Sequence, residues 1–284
     1  NYSVLILAAT PLGNPQDASD SLKSAITSSK FIAAEDSRKF TRLCSELGIT
    51  YDAKVISFFE GNEIERIAEL TKILSEGNDL LVLTDAGMPG VSDPGYRLVR
   101  AAIYANIKIK VIPGPSAVTT ALLLSGLPTD RFCFEGFAPR TSGARISWFE
   151  ELVNEERTII FFEAPHRLVD SLTDALKVFG ENRVGAICRE LTKTYEEVKR
   201  GSLSELLTWA QSKEILGEIT VVLSGFDRSD IEVSNEDLVS QVLKIEAAGI
   251  ARKEAIAEVA KVTGIAKRRI FDAMVEHKSS EGKV

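Results

Sequence analysis

Short apolar runs alternate with longer segments of helical periodicity along the first part of the chain. This alternation predicts βαβ units arranged around a mostly parallel sheet, and therefore an α/β fold class. The predicted strands are Tyr2–Ala9, Phe31–Ala34, Leu80–Thr84 and Ile109–Ile112. The predicted helices are Ala18–Ser29, Lys39–Leu47, Asn62–Ser75 and Gly95–Ala105.

A proline-rich break separates this part of the chain from a second α/β portion. The segment Pro113-Gly114-Pro115 interrupts regular structure before an apolar helix predicted at Ala117–Leu124, which indicates a hinge between two domains. The strands predicted beyond it are Phe132–Glu135, Thr158–Glu163, Val184–Arg189 and Ile219–Leu223. The predicted helices are Ala144–Asn154, His166–Phe179 and Ser202–Gln211. Ser202, with Glu205 three residues later, predicts a capping box.

The last part of the chain shows no strand pattern and predicts a small all-α domain. Its helices are expected at Asn235–Ala247, Arg252–Val262 and Lys267–Glu276, after a polar linker at Phe226–Ser234. A glycine-containing turn at 263–265, followed by a basic helix, resembles a helix-turn-helix. We therefore expect an N-terminal α/β domain at residues 1–114, a second at 115–226, and the linker with a C-terminal helical domain at 227–284.

The distribution of charge changes what the net charge implies. The chain of 284 residues has 34 Lys and Arg against 41 Asp and Glu, a net charge of −7 that disfavours a uniformly basic nucleic-acid-binding protein. Residues 235–284, however, hold nine basic and eight acidic residues, and three of the basic ones are consecutive: Lys267, Arg268 and Arg269. This triplet predicts a local RNA contact. A solvated or dimer-supporting helical appendage is the alternative.

Cysteine and histidine usage limits the possible chemistry. Cys44, Cys133 and Cys188 stand far apart without a CxxC pair, so neither a disulfide framework nor a zinc site is indicated. Only His166 and His277 are present, which disfavours a multi-histidine metal site and a Ser-His-Asp hydrolase. No apolar stretch approaches the ~18 residues of a membrane span, and no signal segment precedes the first strand. We expect a cytoplasmic protein with no metal and no membrane association.

Two loops after predicted strands are candidates for ligand binding. The loop Ala9–Pro15 contains Gly13 and two prolines, but it lacks a GxGxxG fingerprint and a P-loop lysine, so taken alone it favours a structural turn over a binding site. The loop Asp85–Gly95 concentrates three glycines, two prolines and two aspartates. Glycine lets a ligand approach the backbone, proline stiffens the loop, and Asp85 can accept hydrogen bonds from hydroxyls. The second loop therefore predicts a binding site at the carboxyl end of a strand.

Several motifs, taken in order, resemble the tetrapyrrole-methylase-like family of S-adenosylmethionine-dependent methyltransferases. Within that family they are similar to the branch that methylates the 2′-oxygen of a cytidine in small-subunit ribosomal RNA. The motifs are Ala9–Asn14, Ala34–Arg38, Asp85–Gly95, Glu163–Arg167 and Arg189–Lys193. The resemblance spans Ser3–Gly225, and the tail is similar to the C-terminal helical domain of the same branch.

The resemblance implies two α/β domains of the tetrapyrrole-methylase fold that hold S-adenosylmethionine in the inter-domain cleft, in a homodimer. It also implies small-subunit rRNA, or the 30S particle, as partner. Where relatives often carry Gly-Asp-Pro, this chain has Thr84-Asp85-Ala86. The positions implied to contact the donor are Pro11, Leu12, Asp85, Ala86, Gly87, Met88, Ser116, Ala117, Phe162, Glu218, Ile219 and Thr220.

Methyl transfer to a ribose hydroxyl requires in-line placement of the 2′-oxygen and removal of its proton. The candidates for the general base are His166, Glu35, Asp36, Glu163, Glu190 and Lys193. His166 has the most suitable ordinary pKa, but a lone histidine after a proline is more simply explained as a cap of the following helix. Arg38, Arg167 and Arg189 lie in the same motifs, where they can bind RNA phosphates or pair with neighbouring carboxylates.

The resemblance predicts 2′-O-methylation of a cytidine in the decoding region of 16S rRNA. One alternative is a small-molecule tetrapyrrole (precorrin-type) methyltransferase that uses the same cleft. A second alternative is a non-catalytic RNA- or ribosome-binding protein that keeps the fold. Donor binding and the chemical nature of the methyl acceptor distinguish these three possibilities.

Overall fold

A computed structural model describes residues 3–227 and 233–281, the last three of these without their side chains. The chain forms two compact units. The larger unit contains the residues up to Val153 together with Arg157–Ser224, and the smaller unit contains Asn154–Glu156 and the residues from Gly225 onward. Both predicted α/β portions therefore lie in the larger unit. The predicted domain boundaries stay a prediction.

The first sheet is fully parallel, as the sequence pattern predicts. Its strands follow the order β3-β2-β4-β1-β5, and every paired strand is parallel to its neighbour. The strands are β1 (Val4–Ala8), β2 (Phe31–Ala34), β3 (Lys54–Ser57), β4 (Leu80–Leu83) and β5 (Lys108–Ile112). The helices between them are α1 (Asp20–Ser28), α2 (Ser37–Glu46), α3 (Glu63–Ser75) and α4 (Tyr96–Tyr104).

Helices cover both faces of this sheet. Side chains of α1 and α2 pack on one face and side chains of α3 and α4 on the other. The central strand β4 is buried along its whole length, which explains its continuous apolar sequence. Strand β3 was not predicted, because its four residues begin with an exposed lysine at the edge of the sheet.

The second sheet is mixed and has the order β6-β7-β10-β8-β9. Only β6 and β7 are parallel, and the remaining pairs are antiparallel. The strands are β6 (Phe132–Phe137), β7 (Thr158–Glu163), β8 (Val184–Arg189), β9 (Glu197–Ser202) and β10 (Ile219–Leu223). The helices are α5 (Ala117–Ser125), α6 (Ser142–Leu152), α7 (Leu168–Phe179) and α8 (Leu203–Gln211). The unpredicted strand β9 has a largely polar sequence, which is typical of a sheet edge.

The capping box predicted at Ser202 and Glu205 is confirmed at the start of α8. Helix α7 begins at Leu168, two residues later than predicted, because Pro165–Arg167 form a separate 3₁₀ turn. His166 therefore lies in this turn and not in the helix.

Helix α5 covers one face of the second sheet, and α6, α7 and α8 cover the other. Leu12, from the loop after β1, packs into the α5 side of this core together with Val118 and Leu191. A loop of the first sheet thus packs into the apolar core of the second sheet. This contact holds the two sheets of the larger unit together.

The smaller unit is helical, as predicted. Its helices are α9 (Asn235–Ala247), α10 (Arg252–Thr263) and α11 (Lys267–Glu281), which share one apolar core. Gly264 ends α10 in the left-handed conformation with φ 74°, which accounts for the glycine in the predicted turn. Residues 228–232 of the predicted linker lie outside the described residues. The chain contains two β-sheets covered by helices and a helical C-terminal region, so the predicted fold class is confirmed.

Among residues 3–227 and 233–281, no helix is long and apolar enough to cross a membrane. Within the same ranges, no group of His, Cys, Asp and Glu side chains is arranged to hold a metal ion.

Candidate functional site

A cavity of about 350 Å³ opens in the larger unit, where the loops after β1, β2 and β4 face the second sheet. Its volume lies in the range of small-molecule sites, and its position at the carboxyl ends of parallel strands is the usual one for ligands in α/β folds. The residues that line it are Leu12, Glu35, Lys39, Asp85–Met88, Val91–Asp93, Ser116–Val118, Phe137, Phe162–Pro165, Leu191 and Gly217–Thr220.

The loop after β4 is held in place by the loop after β1. Thr10 and Gly87 exchange two backbone hydrogen bonds, both with an N···O distance of 3.0 Å. Gly87 has φ +78°, a conformation that L side chains rarely adopt, and a Cβ atom there would approach Leu12 and the Pro115 carbonyl. The glycine is therefore needed for the backbone conformation that brings three separate segments to one wall.

Two carboxylates interlock the ends of β2 and β4. The Asp85 backbone N–H donates to Glu35 Oε2 at 2.9 Å, and the Asp36 backbone N–H donates to Asp85 Oδ1 at 3.1 Å. The second oxygen of Asp85 accepts a hydrogen bond from Lys39 Nζ at 2.7 Å. Glu35 and Asp85 are thus held on the cavity wall by backbone donors, which fixes their orientation before any ligand binds.

A third carboxylate, Asp93, lies near these two. Burial, together with the charges of Glu35 and Asp85, raises the pKa of Asp93 to about 7. Burial also raises the pKa of Glu35 above its ordinary value. The hydrogen bond to Asp85 raises the pKa of Lys39. This wall, which we call the carboxylate wall (Glu35, Asp85 and Asp93), is therefore electrostatically suited to a cationic group or to hydroxyl donors.

The opposite side of the cavity is apolar. Phe162, from β7, contacts Phe137 and Phe134 of β6 edge to face, with ring centroids 5.4 Å and 4.8 Å apart. Ile219 of β10 and Leu191 complete this side. We call Phe137, Phe162, Leu191 and Ile219 the apolar wall. Such a surface is suited to a flat ring system with little charge.

An ion-pair cluster lies beside the apolar wall. Lys193 Nζ is 3.0 Å from Glu190 Oε1 and 3.1 Å from Glu218 Oε2, and the Glu218 N–H donates to Glu190 at 2.9 Å. Although burial opposes it, hydrogen bonds from the Glu218 backbone and from Lys193 lower the pKa of Glu190. Glu190 and Thr192 have positive φ values of 54° and 65°, and the Thr192 hydroxyl accepts from the Asn14 N–H at 3.1 Å. This cluster therefore connects the second sheet to the loop after β1.

The structure separates the candidates for the general base. Glu35 and Glu163 line the cavity, whereas Asp36, His166, Glu190 and Lys193 do not. Glu163 is buried and paired with Arg167 at 2.9 Å, and it also accepts hydrogen bonds from the Ala164 N–H and the Ser171 hydroxyl. Their catalytic roles stay predictions. Geometry favours Glu35 among them.

Of the positions predicted to contact the donor, all except Pro11 line the cavity. Their contacts with a donor stay predictions. Several lining residues were not singled out from the sequence, among them Lys39, Asp93 and Phe137. Asp93 belongs to the Asp85–Gly95 loop, so the composition of that loop could have indicated it. No sequence signal indicated Phe137, because β6 continues two residues beyond its predicted end.

The residues predicted to bind RNA lie in different surroundings. Arg38 is exposed and pairs with Asp36 at 2.8 Å, while Arg167 and Arg189 are largely covered and pair with Glu163 and Glu197. Lys267, Arg268 and Arg269 are all exposed at the start of α11. Their contacts with RNA stay predictions.

Comparison with known sequences identifies relatives over nearly the full length. The family profile of Tetrapyrrole (Corrin/Porphyrin) Methylases matches residues 4–207. A protein of Mycobacterium tuberculosis named ribosomal RNA small subunit methyltransferase I is 48% identical over 279 residues, which cover 98% of this chain and 96% of the relative. A protein of the same name from Halalkalibacterium halodurans is 41% identical, with 94% and 93% covered.

Solved structures show the same fold at low sequence identity. Diphthine synthase matches with a TM-score of 0.59 and 15% identity, covering 78% of this chain and 89% of that one. Uroporphyrin-III C-methyltransferase from Thermus thermophilus, in complex with S-adenosyl homocysteine, matches with a TM-score of 0.56 and 14% identity, covering 78% and 97%. At these identities the similarity demonstrates the fold alone.

Proposed function

The chain belongs to the tetrapyrrole (corrin/porphyrin) methylase family, and from this premise we propose that it is an S-adenosylmethionine-dependent methyltransferase of small-subunit ribosomal RNA. The main support for the proposal is sequence identity to two relatives that are named for that activity. The identities are 48% and 41%, and the matches extend over 98% and 94% of this chain. The substrate thereby differs from the small molecules after which the family is named.

The cavity fits the donor by its size and by the difference between its two walls. S-adenosylmethionine combines a cationic sulfonium and ribose hydroxyls with a flat adenine ring. The carboxylate wall supplies hydrogen-bond acceptors and negative charge, and the apolar wall supplies aromatic and aliphatic surface. When bound, the donor supplies an activated methyl group. Asp85, Ser116, Phe162 and Ile219 are the residues that we propose to hold it.

We further propose that the acceptor is the 2′-oxygen of a cytidine in the decoding region of 16S rRNA. Glu35 is the best placed general base, since it lines the cavity, is held there by the Asp85 backbone, and has a raised pKa. A carboxylate with a raised pKa accepts a proton more readily near neutral pH. Asp93 also lines the cavity, its pKa is raised to about 7, and it is the second candidate for this role.

The RNA contacts are proposed to come from a few basic residues and not from a uniformly charged surface. In the larger unit, the Arg38 side chain is 89% exposed and can exchange its carboxylate partner for phosphate more easily than Arg167 or Arg189, whose side chains are 19% and 17% exposed. In the smaller unit, the triplet that begins at Lys267 is exposed. We propose a homodimer that acts in the cytoplasm, where the ribosomal substrate is found.

A test of this function compares ribosomal RNA from a wild-type strain and a strain that lacks the gene. Mass spectrometry of nuclease fragments should show one ribose methyl group absent from a cytidine of the decoding region in the deletion strain. A plasmid copy of the gene should restore it, and a copy with Asp85→Ala should not. An unchanged ribose-methylation pattern would reject the proposal. Transfer of label from the donor to a porphyrinoid precursor, but not to ribosomal particles, would support the small-molecule alternative.

A further inference from the structure

A second, smaller cavity of about 140 Å³ lies beside the donor cavity at the carboxyl ends of β1, β2 and β4. It is bounded by the loop after β1, by the residues that follow β2, and by one face of α2 with Arg42, Leu43 and Glu46. The function proposed above assigns no ligand to this smaller cavity. At about 30 Å³ per water molecule it has room for one five- or six-membered ring, whereas sites for complete cofactors begin near 300 Å³.

The two cavities share a wall. Leu12, Glu35, Lys39 and Asp85 line both of them. A group held in the smaller cavity is therefore directly adjacent to a group held in the larger one. This adjacency is what a group-transfer enzyme requires of its acceptor and donor.

The shared wall also offers an unused hydrogen-bond acceptor. Glu35 Oε2 accepts from the Asp85 N–H at 2.9 Å, and within the described part of the chain Glu35 Oε1 accepts no hydrogen bond. Carboxylates of Asp and Glu are common partners of ribose hydroxyls in nucleotide sites. The smaller cavity is thus lined for a hydroxyl-bearing ring.

Lys39 and Arg42 of helix α2 line this cavity, together with four carboxylates: Glu35, Asp36, Glu46 and Asp85. Helix α2 places Arg38, Lys39 and Arg42 within its first six residues, with 89%, 61% and 80% of their side chains exposed. Among the residues that the structure describes, Arg38 and Arg42 pair only with Asp36 and Glu46, near neighbours in sequence. Such surface ion pairs contribute little, so each guanidinium can take a phosphate in place of its present partner.

We propose that the smaller cavity binds the ribose of the acceptor nucleotide, with Arg38 and Arg42 on α2 binding the adjacent phosphates of the RNA strand. This inference rests on the function proposed above, because it assumes an RNA acceptor. A ring of this size with phosphates beside it fits a cavity that adjoins the exposed guanidinium groups at the start of α2. The hydroxyl that faces Glu35 then lies at the wall that the two cavities share.

Two variants of the full-length protein test the inference. Leu43→Trp places an indole at a half-buried position that lines only the smaller cavity. Arg42→Glu reverses one charge at its mouth. Lys72→Glu is the matched control, because Lys72 is 75% exposed on α3, pairs with Glu76 at i+4, and lines neither cavity. Arg42 likewise pairs with a glutamate at i+4.

The assays use naked 16S rRNA and 30S particles from a strain that lacks the gene, with radiolabelled S-adenosylmethionine. For Leu43→Trp we expect kcat/KM for the RNA to fall about 100-fold, while calorimetry shows donor affinity within about twofold of wild type. For Arg42→Glu we expect about tenfold weaker RNA binding and a slope of log K against log salt reduced by about 1. Lys72→Glu should change neither quantity by more than twofold.

The outcomes separate the inference from the function on which it rests. If the wild-type protein methylates the RNA and both variants do so equally well, the acceptor cavity is wrong and the proposed function stands. If Arg42→Glu and Lys72→Glu weaken RNA binding equally, the effect comes from the general charge of the protein and not from a contact between Arg42 and an RNA phosphate. If the wild-type protein transfers no methyl group to either RNA substrate, the proposed function and the inference both fail. Should Leu43→Trp lose donor binding too, Arg42→Glu decides the case, because Arg42 lies outside the donor cavity.

Discussion

The two walls of the larger cavity differ in chemistry and in how they are built. The carboxylate wall consists of loop residues after strands of the parallel sheet, and backbone N–H groups orient two of its three carboxylates. The apolar wall consists mainly of strand residues of the mixed sheet, whose side chains are fixed by packing. One wall is therefore positioned by hydrogen bonds and the other by van der Waals contacts.

The difference explains why a single cavity can hold a ligand with two dissimilar ends. Charge and hydrogen bonds determine orientation on the carboxylate wall, where the wrong end of a ligand would leave polar groups unpaired. Burial of apolar surface contributes affinity on the apolar wall with less directional preference. Substitutions on the two walls should therefore have effects of different size and different dependence on pH.

The largest effect is expected for Asp85→Ala. This change removes the acceptor of the Asp36 N–H and the partner of Lys39, so the carboxylate wall loses both its charge and its geometry. Donor affinity should fall about 30- to 100-fold, since hydrogen bonds to charged groups contribute about 1.5–3 kcal/mol each. Isothermal titration calorimetry measures the affinity for the donor. Asp52→Ala, at an exposed loop position, is the control and should bind like wild type.

A smaller effect is expected for Phe162→Ala on the apolar wall. The ring is half-buried and also packs against Phe134 and Phe137, so its loss removes part of the binding surface without removing a charge. Donor affinity should fall about tenfold, or about 1.4 kcal/mol. Because no ionisable group is lost, the ratio to wild type should be the same at pH 6 and pH 8. Phe132→Ala, on the same sheet but outside the cavity, should leave donor affinity unchanged.

The smallest effect on binding, but the clearest dependence on pH, is expected for Asp93→Asn. The pKa of Asp93 rises from 3.8 to about 7 because of burial and of the neighbouring carboxylates, so between these pH values the folded chain binds a proton that the unfolded chain releases. The stability contribution of this group is thus greatest below pH 4 and decreases as the pH rises to 7.

At pH 8 the asparagine variant should therefore be more stable than wild type by about 1 kcal/mol, a value reduced for solvent screening of a partly exposed group. Urea unfolding at pH 5 and pH 8 measures this difference. Donor affinity of the wild type should rise a few-fold from pH 6 to pH 8, as the carboxylate ionises beside a cationic ligand, and the variant should lose this rise. Equal pH profiles for the two proteins would contradict the electrostatic role of Asp93.

The sequence predicts the site unequally on the two walls. The binding loop after β4 can be predicted from sequence, because an ordinary turn does not require so many glycines, prolines and aspartates. In the structure, Gly87 has a positive φ, which explains one of the glycines. Glu35 was named within a motif, yet its pKa is raised by burial and opposed by the hydrogen bond from the backbone of Asp85, a residue distant in sequence. Local composition carries no information about such a pair.

The apolar wall and the sheet edges are harder to predict for a physical reason. Phe162 was named through the family resemblance, but Phe137 reaches the cavity only because β6 pairs with β7, with a register shift between Phe134 and Phe137. Apolar residues in a strand look alike in sequence whether they line a core or a cavity. The edge strands β3 and β9 were missed for a related reason, since their sequences lack a strong alternation of apolar and polar residues.

The most direct test of the account is methyl transfer by the purified protein in vitro. Labelled S-adenosylmethionine is incubated with 30S particles or naked 16S rRNA from a strain that lacks the gene, and the RNA is digested to nucleosides for mass spectrometry. The account predicts that the label appears in 2′-O-methylcytidine, at about one methyl group per RNA, and that Asp85→Ala abolishes it. Label in a methylated base, or no label in RNA from either substrate, would contradict the account.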